Sequence, residues 1–221
     1  VPAGEGRSVQ LKIAAEMPRG QNAIQFRFEA EGVGQEDKVE ASVRLDIEDR
    51  SFHEETKLDA ETEKHFREAT LPLAEGVGFE FVPSSERRLV ALATCGRFFA
   101  EEEWCRDIPH PVEASRGQVA SGDAFSPGWF QLPIQFGQAA ELLISINEPT
   151  EQMLGQEDCP DEIGWDDDWD GFGQALNSAM NAFVVQRGEG KSIIAGYPWF
   201  LDWGRDSLIA VRGLIAAGRL D

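Results

Sequence analysis

The stretch Tyr197-Pro198-Trp199-Phe200-Leu201-Asp202-Trp203-Gly204-Arg205-Asp206 concentrates the residue types that can do chemistry. Four of the seven residues from 197 to 203 are aromatic in a chain that is 10% aromatic overall, so the density is not background. Flat rings suit the apolar C–H faces of a pyranose, while Asp and Arg side chains read opposite ends of a hydroxyl dipole through charge-assisted hydrogen bonds. Aromatics beside an Arg205–Asp206 pair, on a loop entering a helix, therefore describe a carbohydrate subsite. A plainer reading stands next to it. Asp206 precedes an apolar helical run and would cap it for about 1 kcal/mol, and Trp199, Phe200 and Trp203 would be core residues anchored by Pro198. The residues alone leave both open.

Other candidates carry less. Asp166-Asp167-Asp168-Trp169-Asp170-Gly171 matches the first six positions of an EF-hand calcium loop. Its twelfth position, which needs a bidentate carboxylate, is Asn177, and no amphipathic helix precedes it. The run reads as a solvated linker whose last carboxylates complement a helix N-terminus, and no metal is expected. His53, His65 and His110 lack metal-ligand spacing. Ser121-Gly122-Asp123 and Ser84-Ser85 read as turns. Cys95, Cys105 and Cys159 are odd in number and show no paired spacing, so reduced, buried thiols in the cytoplasm are expected. Neither a cofactor nor a catalytic side chain is assigned within the chain.

Residues 1–150 have period two. Val9, Leu11 and Ile13 alternate with polar residues, as do Ile24, Phe26 and Phe28, then Val39 through Ile47. Further strands are expected at 78–82, 89–93, 129–135 and 141–146, separated by Gly, Pro, Ser and Asp clusters. The acidic stretch 59–68 is a helical turn or a hairpin tip. This pattern predicts a mainly β chain that opens with an antiparallel β-sandwich. Residues 151–170 form an acidic linker, with eight carboxylates from Glu157 to Asp170. From 171 to 221 the period turns helical: Phe172, Leu176, Ala179, Met180, Phe183 and Val184 make one stripe. A strand follows at 192–195, then a helix over 207–217 stopped by Gly218.

The chain has 221 residues, 20 basic against 40 acidic, and a net charge of −20. Such a surface repels phosphate backbones, which disfavours nucleic-acid binding, and none is expected. No apolar run reaches the roughly 18 residues of a membrane-spanning helix. Only five lysines accompany the many carboxylates, a balance that fits salt adaptation as well as it fits a plain acidic surface. With no initiator Met and no leader pattern, the chain is read as a piece of a longer protein.

The run from Ile194 to Asp206, continued by Ser207-Leu208-Ile209-Ala210-Val211-Arg212-Gly213-Leu214, resembles the start of the catalytic domain of prokaryotic glycogen debranching enzymes, the amylo-α-1,6-glucosidases. The helix from Gln174 to Arg187 is similar to that family's lead-in, and Ser126 to Ile134 resembles the last strands of its N-terminal β-sandwich. Leu201 and Val211-Arg212 depart from the family pattern without removing its polar groups. The resemblance implies the first helices of an (α/α)6 barrel over 171–221 and a glycogen or branched α-glucan partner. It also implies inverting hydrolysis of α-1,6-linked glucose stubs, in the cytoplasm. Arg205 and Asp206 would hold the terminal glucose, Trp203 and Trp199 would stack on it, and Asp202 would orient Arg205. Inversion needs two carboxyls roughly 6.5–9.5 Å apart, which the family takes from later helices, so this segment alone is expected to be inactive. Two other readings remain: a non-catalytic glucan-binding β-domain, and a glucoamylase-like or trehalase-like glycosidase.

Overall fold

The computed structural model describes residues 8–18, 21–32, 39–51, 54–135, 137–146, 169–197 and 200–218. The chain divides after Asp158 into two units.

In the first unit, alternation builds strands. Phe130, Leu132 and Ile134 are buried while Trp129, Gln131 and Pro133 are only partly covered, so one face of their strand enters the core. The strands are β1 (Gln10–Glu16), β2 (Ala23–Glu31), β3 (Val39–Arg44), β4 (Thr70–Pro72), β5 (Gly78–Ser84), β6 (Arg87–Ala93), β7 (Arg97–Phe99), β8 (Glu103–Pro109), β9 (Ser121–Ser126), β10 (Trp129–Ile134) and β11 (Ala140–Ser145). A six-stranded sheet has the order β1-β2-β11-β6-β5-β4, with β1 and β4 at its edges. A three-stranded sheet, β3-β10-β7, and the pair β8-β9 complete the unit, and every pairing is antiparallel. The first two sheets meet through aromatic rings in a sandwich-like core. Phe79 of β5 lies 5.2 Å from Phe98 of β7 and 6.2 Å from Phe130 of β10, centroid to centroid. Phe79, Phe125 and Phe130 are fully buried, each contributing about 2–3 kcal/mol of apolar transfer.

The acidic stretch is a helix, α1 (Ala60–Ala69), not a hairpin tip. Asp59 caps it, accepting from the backbone N–H groups of Glu61 and Thr62 at 3.0 and 2.8 Å. Its Phe66 packs on Phe81, Trp104 and Phe125. A second, short helix, α2 (Pro111–Ser115), is tied down by a chain of charges. Arg50 bridges Glu48 and Glu113 at 2.5 and 3.2 Å, and the buried His110 places Nε2 3.0 Å from Glu48.

Three expectations change here. Ser121-Gly122-Asp123 begins β9 instead of making a turn, because the Asp123 carboxylate satisfies two backbone N–H groups, Leu58 at 2.8 Å and Asp107 at 2.9 Å. Asp107 is left-handed, with φ of 53°, where β8 bulges between Cys105 and Ile108. β3 stops at Arg44, and Ile47 instead bridges Phe125. Of the thiols, Cys95 is half-buried but Cys105 is exposed, and Cys159 lies outside the described residues.

The second unit contains α3 (Trp169–Ala182), β12 (Val184–Arg187), β13 (Gly190–Gly196), β14 (Phe200–Asp202) and α4 (Gly204–Ala216). The three strands form one antiparallel sheet in chain order. α3 begins at Trp169, the fourth position of the calcium-loop-like run, so a twelve-residue loop has no room there; the rest of that run up to Asp168 lies outside the described residues. The helical stripe was expected to reach Val184 but ends at Ala182. The β-branched pair Val184-Val185 joins a hairpin whose turn begins at Gly188, with φ of 57°. At the other end Gly218, with φ of 77°, stops α4 as expected. The repeated helix pairs of an (α/α)6 barrel are not among the described residues. No described helix is long and apolar enough to cross a membrane.

Candidate functional site

The small sheet has two different faces. Strand alternation and the register pairs Val185↔Ser192, Ile194↔Asp202 and Gly196↔Phe200 put Arg187, Ser192, Phe200 and Asp202 on one side. Val184, Ile193 and Ala195 take the other, where they join Met180, Phe183, Ile209 and Leu214 around an open cavity of about 360 Å³.

On the polar face Asp202 is the centre. One carboxylate oxygen accepts from the Arg187 guanidinium and the other from the Ser192 hydroxyl at 2.7 Å. The Ser192 hydrogen bond, then the Arg187 charge, hold its carboxyl below the ordinary 3.8 against the opposing effect of burial. Asp202 is thus a fixed, ionised acceptor, engaged by Arg187 and Ser192 and not by Arg205. Beside it Phe200 meets Trp203 edge to face, centroids 5.6 Å apart at 78°. The Phe200 ring lies over Gly196, where a Cβ would come within 3.3 Å of it. Trp203 is 50% exposed, so the aromatic corner remains open to a ligand.

α4 begins at Gly204, with Trp203 at its N-cap position making no side-chain cap bond. Asp206 is therefore not the cap. It is the third helical residue, where its charge complements the free N–H groups of the first turn. Nor does it share a helix face with Asp202, which belongs to β14. Asp206 lines the apolar cavity, and its buried Oδ2 makes no hydrogen bond. The nearest cation, Arg205 Nε, stands 4.0 Å away on a side chain that is 80% exposed. Tyr197 is an anchor: its hydroxyl donates to the Ala182 carbonyl at 3.1 Å and its ring contacts Phe183. Trp199 lies outside the described residues.

Of the five residues singled out in the sequence, Asp202 sits on the polar face, Trp203 packs on the Phe200 ring, Asp206 faces the cavity, Arg205 extends into solvent, and Trp199 lies outside the described residues. Sequence reasoning missed Arg187 and Ser192. Their signal was the Gly188-Glu189-Gly190 turn, which pairs the strands on either side and so aligns both residues with β14.

Comparison with known proteins places both units. Residues 5–141 match the family model described as the N-terminal part of glycogen debranching enzyme. Residues 177–221 match the one described as amylo-alpha-1,6-glucosidase. No curated protein matches the chain.

Proposed function

The chain belongs to the glycogen debranching enzyme family, and from that premise we propose that it is the glucan-holding part of an enzyme that removes α-1,6-linked glucose stubs from glycogen by inverting hydrolysis. The observation that carries this is the amylo-alpha-1,6-glucosidase match over 177–221, which contains Trp199, Asp202, Trp203, Arg205 and Asp206. Arg205 and Asp206 hold the hydroxyls of the terminal glucose, and Trp203, with Trp199, stacks on its apolar face. The buried, unbonded Oδ2 of Asp206 suits that role, because a sugar hydroxyl supplies the donor it needs. Asp202, on the other face of the small sheet from the cavity that Asp206 lines, contributes a charged acceptor to a neighbouring part of the glucan.

The acid and the base come from residues outside this chain. Asp202, kept ionised by Arg187 and Ser192, is a poor proton donor. The surface of α4 supports a further wall of helices: none of its residues is buried, and Leu208 and Ile209 are 72% and 69% exposed. In this reading the enzyme is cytoplasmic and needs no cofactor.

The test is a crystal of the complete enzyme soaked with a maltooligosaccharide. Sugar density against Trp203, Arg205 and Asp206 is expected. Density at a site remote from all three overturns the assignment.

A further inference from the structure

We infer that Arg187 and Ser192 are positioning residues, and that the β12–β13 hairpin fixes the direction from which Asp202 accepts a sugar hydroxyl. The inference rests on the reading of Asp202 as a glucan-binding residue. A carboxylate offers about four acceptor directions, two on each oxygen. Arg187 takes one on the first oxygen and Ser192 one on the second. Both oxygens keep a direction, and neither can rotate without breaking a bond to Arg187 on β12 or Ser192 on β13. The side chain is one-fifth exposed, so a ligand reaches it. Phe200 lies on the same face of the sheet, with the exposed Trp203 ring against it, and a pyranose on the Phe200 ring brings its hydroxyls alongside a carboxylate already aimed.

Stability gives little reason for this arrangement. Arg187 is 66% exposed, and ion pairs so open to water add little to folding. A direct sugar contact by Arg187 is the competing account. Lys in place of Arg keeps the charge but loses the fork geometry, so it restores part of the alignment.

The complete enzyme is assayed on branched dextrin, with kcat and KM read separately and Tm measured for each variant. R187Q and S192A should each raise KM about fivefold, the loss of one hydrogen bond's worth of binding, with kcat within about twofold, as for contacts kept equally in ground and transition states. R187K should recover part of the loss. R187Q/D202N should be no worse than D202N alone, because Arg187 acts through Asp202. S192A, which removes a single hydroxyl, serves should R187Q fail to fold. If D202N raises KM while R187Q and S192A leave it unchanged, the positioning role is overturned and the reading of Asp202 survives. If D202N itself leaves KM unchanged, the reading of Asp202 falls and the inference with it. Additive losses in the double variant overturn positioning in favour of direct contact.

Discussion

Asp206 keeps one carboxylate oxygen, Oδ2, for which the fold supplies no hydrogen bond. That Oδ2 is buried beside an apolar cavity with Arg205 Nε 4.0 Å away, while the side chain as a whole is 41% exposed and its charge complements the first turn of α4. The sequence made capping the natural rival explanation, but the helix starts two residues earlier and Trp203 occupies the cap position. Asp206→Asn in the complete enzyme should leave Tm unchanged or slightly lowered, since it removes a half-exposed charge from the first turn of α4, while turnover on branched dextrin drops at least about tenfold. A variant that unfolds with its activity per folded molecule intact would instead show a structural carboxylate. Trp203→Ala is less clean, because the indole also packs on Phe200; a raised KM with a modest fall in Tm is expected.

At the scale of elements, the β8–β9 pair hangs on Asp123, which holds Leu58 and the left-handed Asp107 by their backbone N–H groups. Asp123→Ala leaves both donors stranded and should cost about 3 kcal/mol in denaturant unfolding. The same bonds, that to Leu58 foremost, hold the Asp123 carboxyl below its ordinary 3.8. Because the folded value is the lower one, its stabilisation is complete above about pH 4 and is lost as pH falls through the folded value. The Tm gap between the wild type and Asp123→Asn should thus narrow progressively as pH falls below about 4. Gly128, just before β10, is fixed by space: a Cβ there would stand 2.0 Å from the Phe99 carbonyl oxygen and 2.8 Å from the Phe98 ring. Gly128→Ala should yield little folded protein, measured as soluble material with a cooperative melt.

These elements also mark what the sequence could reveal. β10 was legible because its alternation separates a buried face from a half-covered one, β2 because Ile24, Phe26 and Phe28 alternate with polar residues although Gln25 is buried too, and β11 because it is a short, mostly apolar run. β7 is three residues long, and β8 is mostly exposed and interrupted by a bulge, so neither leaves a periodic trace. Val184 was assigned to a helix because one apolar residue fits two periods; the Gly188 turn decides for the strand. The aromatic and charged run of the site was visible as composition. Its internal wiring was not, because Asp202 meets residues ten and fifteen positions away, a pairing that only the sheet register fixes.

For the molecule as a whole, the two units carry different burdens. The first owns a closed aromatic core, whereas α4 of the second presents apolar side chains outward. Inverting hydrolysis needs an acid and a base on opposite walls, roughly 6.5–9.5 Å apart, and Asp202 is already committed to Arg187 and Ser192. The 221-residue chain incubated with branched dextrin should release no glucose by a coupled oxidase assay, and a measurable rate would return the catalytic pair to this chain.

The six-stranded sheet ends unequally. β4 is short and finishes in Pro72, which has no N–H to offer, but β1 runs for seven residues with Ile13 outward. Of the two ends of this sheet, β1 offers the longer row of N–H and C=O groups to a neighbouring molecule, and a charged substitution at the outward Ile13 should weaken such strand addition.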